Sequence, residues 1–199
     1  MRPTASADNN RSAKCIGIDD GPFPPKFPNT PSHAPLVAVC LKGPHLYRVQ
    51  TGWITVDGLD ATDRAQALLE KLPKAPVLLS GVTFGGFNLI DPWRVQRRFR
   101  TPTVAVVGSR PDNKAVKRAL VKHFPDWKER WRIIRQLGPL RSVRTVADEP
   151  PLFYEAFGCT ASEAKNILAG HARVSRIPEP IRVASLVARG LFEGLHKLR

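Results

Sequence analysis

Three groups of acidic residues in this chain have the makings of a cation-binding or hydrolytic centre: Asp19 with Asp20, Asp57 with Asp60, and Asp91. Carboxylates brought close together resist ionising unless a cation neutralises them. Their hard oxygens suit Mg2+ or Mn2+. A cation held this way can lower the pKa of a bound water and stabilise both oxygens of an in-line phosphoryl displacement. Phosphodiester cleavage needs little else. On this chemistry Asp19, Asp20, Asp57 and Asp60 are the candidate catalytic residues, and Asp19, Asp57, Asp60 and Asp91 the candidate metal ligands. Each also has a plainer reading. Asp20-Gly21-Pro22 and Asp57-Gly58 are ordinary turn signals, and Asp60 and Asp91 stand where helix caps belong.

A hydrolytic edge needs something to hold its substrate, and the charge supplies it. Lys and Arg total 31 against 17 Asp and Glu, a formal net charge of +14 among 199 residues. Such a charge concentrates polyanions and speeds their capture, and nucleic acid is the expected partner. The basic residues crowd between Asp91 and Arg144, whereas most acids with a possible site role lie upstream. Arg94, Arg97, Arg98, Lys114 and Lys117 from that half, with Asn88 and Arg182, are the candidate nucleic-acid contacts. Glu179 beside Arg182 either completes the cation site or simply pairs with it. The glycines Gly81, Gly85 and Gly86 allow backbone to approach a phosphate, though no Walker pattern accompanies them.

Other classes fall away. The 3 cysteines include no CxxC pair, against a disulfide framework or a zinc site; Cys15 and Cys40 read as small core residues. No apolar run approaches the ~20 residues that span a bilayer, and the first thirteen residues lack an apolar signal core. No membrane association and a cytosolic location are expected.

The elements that must position these residues can be read from periodicity. Residues 1–13 read as a flexible arm and 14–199 as one domain, large enough for a real core. Strands are expected at Lys14–Asp19, Leu36–Leu41, His45–Val56, Val77–Leu79 and Thr103–Val107, rich in β-branched and apolar residues. A proline-rich loop, Gly21–Pro35, is expected to stay out of any central strand. Asp60, Asp91-Pro92, Asp112 and Asp126 open helices. The first has Ala65, Leu68, Leu69 and Leu72 on one face and the last Trp127, Trp131 and Ile134. Strands near Ser142–Ala147 and Leu152–Phe157, a capping box at Thr160 and Glu163, and a helix over Pro180–Leu195 complete the chain.

Short links make the first three strands antiparallel, and helical crossovers make the fourth and fifth parallel neighbours. The expected fold class is therefore α/β, a mixed sheet flanked by helices with the strand order of a ribonuclease H-like domain. That order brings the ends of strands one, three and four to one edge, with Asp19, Asp20, Asp57, Asp60 and the turn up to Asp91 gathered there.

Four segments carry a resemblance: IGIDDGPF (Ile16–Phe23), VDGLDAT (Val56–Thr62), GVTFGGFNLID (Gly81–Asp91) and IPEPIRVA (Ile177–Ala184). Together, and in this order, they resemble the archaeal endonuclease dU family (domain of unknown function ninety-nine), which is similar to endonuclease V. The resemblance implies an endonuclease V-like fold and a divalent-metal-dependent endonuclease for DNA containing a deaminated base such as deoxyuridine. Gly17–Asp19 resembles the first-strand Gly-Val-Asp of endonuclease V, which implies that Asp19 is a metal ligand. The acid after the third strand there is matched by Asp57 or Asp60. The aspartate that ends the fourth strand falls on Ser80, and serine is a poor metal ligand. Either Asp91 or Asp20 takes its place, or the site is weaker, or this chain binds nucleic acid without cutting it.

Overall fold

A computed structural model describes residues 13–23 and 32–196, with side chains through residue 193. The anticipated arm therefore lies, apart from Ala13, outside the described residues, as does the middle of the proline-rich loop.

The chain alternates strand and helix because its apolar residues switch between a period of two and a period near 3.6. Its strands are β1 (Lys14–Asp20), β2 (His33–Lys42), β3 (His45–Thr55), β4 (Val77–Leu79), β5 (Thr83–Phe84), β6 (Asn88–Leu89), β7 (Thr103–Val107), β8 (Arg141–Val143) and β9 (Leu152–Phe157). Its helices are α1 (Ala61–Leu69), α2 (Pro92–Phe99), α3 (Asn113–His123), α4 (Trp127–Arg135), α5 (Ala161–His171) and α6 (Glu179–His196). Seven strands make one mixed sheet ordered β3-β2-β1-β4-β7-β9-β8, and β5 and β6 form a separate hairpin. β1 pairs antiparallel with β2 and parallel with β4; β4 is parallel to β7, and β9 runs antiparallel to β7. The mixed sheet with parallel strands at its centre is the one anticipated, and β1, β3 and β4 do finish at the same edge.

Side-chain alternation in β1 assigns the two faces. Ile16 and Ile18 belong to a core layer with Ala61, Ala65, Leu68 and Val95 from α1 and α2. Cys15 faces the other way, into a layer with Ala164 and Leu168 of α5 and Ile181 of α6. Gly17 shares that second face, and α6 lies directly on it: a Cβ built there would sit 2.1 Å from the Pro180 carbonyl carbon. Val37, Val39 and Leu41 of β2 extend this face against Ala184 and Ala188. A third small core, around Leu89, Leu120 and Ile134, joins α3 and α4 to the hairpin.

Several local expectations are corrected. β2 starts at His33 and includes Pro35, although it runs between β1 and β3. The proline is tolerated because it lies one residue past Leu36, the last partner of β1; its carbonyl still accepts from Gly21 N–H at 3.1 Å. Residues 83–89, read as a turn, contain the β5–β6 hairpin. β8 stops at Val143, where Arg144 instead bonds the carbonyls of Ala147 and Glu149 across a turn. Among the described residues no helix is long and apolar enough to cross a membrane.

Candidate active site at the sheet edge

Asp19, next to last in β1, lies on the α6 face. Ile18 is in register with Leu79, so Ser80, whose N–H donates to the Ile18 carbonyl at 3.0 Å, stands beside Asp19 on the neighbouring parallel strand. The Asp19 carboxyl is raised to about 6, by burial first and then by the negative charge of Asp20, against the pull of hydrogen bonds from the Asp20 amide, Ser185 and Ser80. Ser185 reaches Asp19 because α6 packs without a gap on Gly17 and on Gly21, where a Cβ would lie 2.6 Å from the Ala188 carbonyl oxygen.

Asp20 belongs to the opposite side-chain parity. Its carboxylate accepts from the Gly85 amide at 2.6 Å, and burial pushes its pKa up while that hydrogen bond pulls the other way. Gly85 and Gly86 form the hairpin turn, with φ of 50° and 84°. The turn is pinned from below by Asp57, itself left-handed at φ 57°. Asp57 donates its N–H to the Gly85 carbonyl at 2.8 Å and accepts from Phe87 N–H at 2.9 Å. A Cβ on Gly86 would fall 2.3 Å from that carboxylate, so only glycine fits.

Asn88 takes the capping role that sequence gives Asp60. The Asp60 side chain makes no cap hydrogen bond to α1; the Asn88 carbonyl oxygen caps that helix from the hairpin, accepting from Ala61 N–H at 2.9 Å. Asp60 accepts from the Thr55 amide and from Asn88 Nδ2. Burial pushes its carboxyl up, but these hydrogen bonds outweigh burial and the net shift is down. Asn88 is fully buried with both ends of its amide occupied, so it is a brace and offers nothing to a nucleic acid. Asp91 is the helix cap expected of it, one oxygen accepting from the amides of Trp93 and Arg94.

The strongest element of this arrangement lay hidden in the basic run. Arg130, only 3 % exposed, reaches from α4 to the edge. Its guanidinium donates to the carbonyls of Asp57, Gly58 and Phe87 and to both oxygens of Asp126. All five of its N–H donors are thereby used. Those bonds from Arg130 hold the Asp126 carboxyl below its ordinary range. Asp126 consequently makes no side-chain cap of its helix. The i,i+4 spacing of Asp126 and Arg130 is visible in sequence as a helix pair; the carbonyls from two other segments are not.

Among the other basic candidates, Arg94 pairs with Asp63 at 2.7 Å and Arg98 pairs with Glu70, both on the exposed α1–α2 side. Arg97 is on the last turn of α2. Lys114 and Lys117 are on the outer face of α3. Arg182 forms a two-pronged ion pair with Glu179, Nη2 to Oε2 being 2.7 Å. Burial raises the Glu179 carboxyl, and Arg182, the Val174 amide and the charge of Arg173 more than reverse it.

Among the described residues, no three acidic, histidine or cysteine side chains gather to hold a metal ion. The reason is the alternation along β1, which sends Asp19 and Asp20 to opposite faces, and the backbone amides that occupy Asp20 and Asp57. The gathering of Asp19, Asp57, Asp60 and Asp91 about one cation, expected from sequence, is therefore not assembled among the described residues. The donor set fits something smaller: a hard cation held through Asp19, with Asp20 near enough to be felt, and with water or a substrate phosphate filling the remaining positions, as Mg2+ commonly accepts.

This sheet has the fold of endonuclease V. The Bacillus subtilis Endonuclease V superposes with a TM-score of 0.67 at 13 % identity, over 100 % of this chain and 88 % of that one. Endonuclease V of Ciona intestinalis, solved with a 24mer DNA containing an inosine followed by a ribo-adenosine, gives a TM-score of 0.62 at 17 % identity, with 96 % of both chains covered. The chain belongs to the Endonuclease dU family, whose profile matches residues 11–192. Its relatives include an archaeal UPF0215 protein of Methanopyrus kandleri, 34 % identical over 186 residues, covering 91 % of this chain and 92 % of that protein. A structure of a protein of unknown function from Archaeoglobus fulgidus matches with a TM-score of 0.75 and 27 % identity, over 90 % of this chain and 98 % of that one.

Proposed function

We propose that this chain is a cytosolic endonuclease that cuts DNA carrying a deaminated base such as deoxyuridine, using Mg2+ or Mn2+ held through Asp19. The observation that carries this reading is the Asp19 carboxylate itself. It is half-buried at the finishing edge of two parallel strands, where desolvation first and the Asp20 charge second raise its proton affinity. An acid in that state favours a neutralising cation, and the excess of Lys and Arg favours a phosphate backbone.

Within this reading, Ser80 and Ser185 orient the Asp19 carboxylate by hydrogen bonding, and Asp20 is fixed by the Gly85 amide so that the hairpin turn keeps its place. The cation, when bound, supplies positive charge to the reacting phosphate and an acidified water. Asp57, Asp60 and Asn88 act by positioning the turn. Arg97 would grip the DNA backbone, and Arg94 and Arg98, paired with Asp63 and Glu70, would hold α1 and α2 beside it. Residues 14–199 act as one domain, with 1–13 preceding it.

The test is cleavage of a deoxyuridine-containing duplex by purified protein with Mn2+, beside the undamaged duplex. Selective nicking that disappears in Asp19→Asn supports the proposal; binding without any nicking removes it. A second reading, nucleic-acid binding without catalysis, is favoured by Ser80 in the place of an acid. It predicts binding indifferent to divalent metal and to Asp19→Asn.

A further inference from the structure

A second surface lies away from the acidic edge. α3 and α4 enclose a groove of about 510 Å3 whose lining includes Lys117, Trp127, Lys128, Trp131, Arg132 and Arg135, and no acid. The acids nearest in sequence are committed elsewhere. Asp112 caps α3 through the amides of Lys114 and Ala115, and Asp126 is bound to Arg130. Glu129 lies on α4 but is not part of the lining.

Trp127 and Trp131 are four residues apart, one turn of α4, so their rings share a helix face. Both pack at the margin of the small core around Leu120 and Ile134 and remain half-buried. Helix packing alone would be served by aliphatic side chains in these places. What distinguishes the pair is that each ring has a lysine ammonium over it: Lys117 Nζ at 5.5 Å from the Trp131 centroid and Lys128 Nζ at 5.9 Å from that of Trp127. At those distances the ammonium caps the ring loosely and is free to meet an anion beside it. Lys117 also belongs to a neighbouring depression of about 470 Å3 with Lys114, Arg118, Val121 and Lys122. The cationic path thus continues along the outside of α3.

Flat aromatic rings, each with a cation loosely over it, match one ligand chemistry: planar bases joined by phosphates that draw the ammonium aside, in a strand whose bases are not already stacked in a duplex. An acidic peptide would meet the charge and leave the indoles unused. We propose that the α3–α4 groove seats a short single-stranded stretch of nucleic acid, with bases stacked on Trp127 and Trp131 and phosphates on Lys117, Lys128, Arg132 and Arg135. The proposal shares with the preceding section only the premise that nucleic acid is the partner, and it uses none of the acidic residues.

The experiment titrates full-length protein, in EDTA, into fluorescein-labelled dT12, rU12 and a 12-base-pair duplex, following anisotropy. Single strands should bind more tightly than duplex. Lys117→Gln with Arg132→Gln, both exposed positions, should weaken dT12 binding about tenfold and flatten its salt dependence by roughly 0.7 in log–log slope for each phosphate no longer neutralised. Trp131→Phe, which preserves the small core, should retain binding better than Trp131→Leu, with thermal melting as the check on folding. The titration is run without divalent cation, so the groove stands or falls independently of cutting. Comparison of dT12 with rU12 identifies the sugar preferred, and tight binding of either supports the proposal. Unchanged dT12 affinity in the Lys117/Arg132 variant, a preference for duplex, or equal competition by a twelve-residue polyglutamate would each overturn it.

Discussion

Arg130 shows how much one side chain can hold at the residue scale. Its guanidinium joins α4 to the turns at Asp57–Gly58 and at Phe87, and it is almost without solvent. Arg130→Met keeps the aliphatic packing but leaves three carbonyls and a carboxylate without their donor. Such a loss should cost about 3 kcal/mol, read as a lowered urea midpoint, and should speed amide exchange at residues 85–88. Ser80 makes the complementary point. It neighbours Asp19 in register, so Ser80→Asp sets a second carboxylate against one that burial already penalises. Stability without metal should fall by about 2 kcal/mol and return in millimolar Mn2+, as followed by thermal melting. A variant no less stable without metal, or one that Mn2+ leaves unchanged, would remove the case for a cation at Asp19.

The elements reach their places by close approach. α6 lies on β1 because Gly17 has no side chain, and Gly17→Ala would drive a Cβ into the Pro180 backbone. Backbone cannot yield as a side-chain tip does, so a loss of at least about 3 kcal/mol is expected, visible in the melting curve together with lost protection along α6. β9 contributes a pH response. Glu155 faces Ala105 across the ladder, and burial raises its carboxyl from 4.5 to about 7. The folded state therefore holds this proton more tightly than the unfolded chain. Its contribution to stability is full below pH 4.5 and lost as the pH rises through about 7. Glu155→Gln should flatten that fall when the two proteins are compared by urea unfolding across the range. At this scale much was legible in sequence. Strand periodicity, the Asp91 and Asp112 caps, the Thr160–Glu163 capping box and the order of elements all follow from local patterns. The cap that Asn88 supplies in place of Asp60 was not, because a cap supplied from 27 residues away leaves no local trace. Nor was the parting of Asp19 from Asp20, although the period of two along a strand implies it once both residues are placed in β1.

The whole molecule is dominated by its charge of +14. Nucleic-acid binding should accordingly weaken linearly with log salt. For about four neutralised phosphates the loss is about a hundredfold between 50 and 200 mM salt, measurable by anisotropy, and a flat profile would exclude a phosphate-led interaction. The position of the basic half in the chain was readable from sequence, but its organisation was not. Arg94 and Arg98 spend charge on α1, Arg182 on Glu179, and Arg130 on internal carbonyls, while the α3–α4 groove keeps its cations outward. The same helix therefore presents Trp131 and Arg132 on one side and, through Arg130, grips the floor of the acidic edge on the other. The indole surface and the acidic edge are thus moored to one another through a single guanidinium.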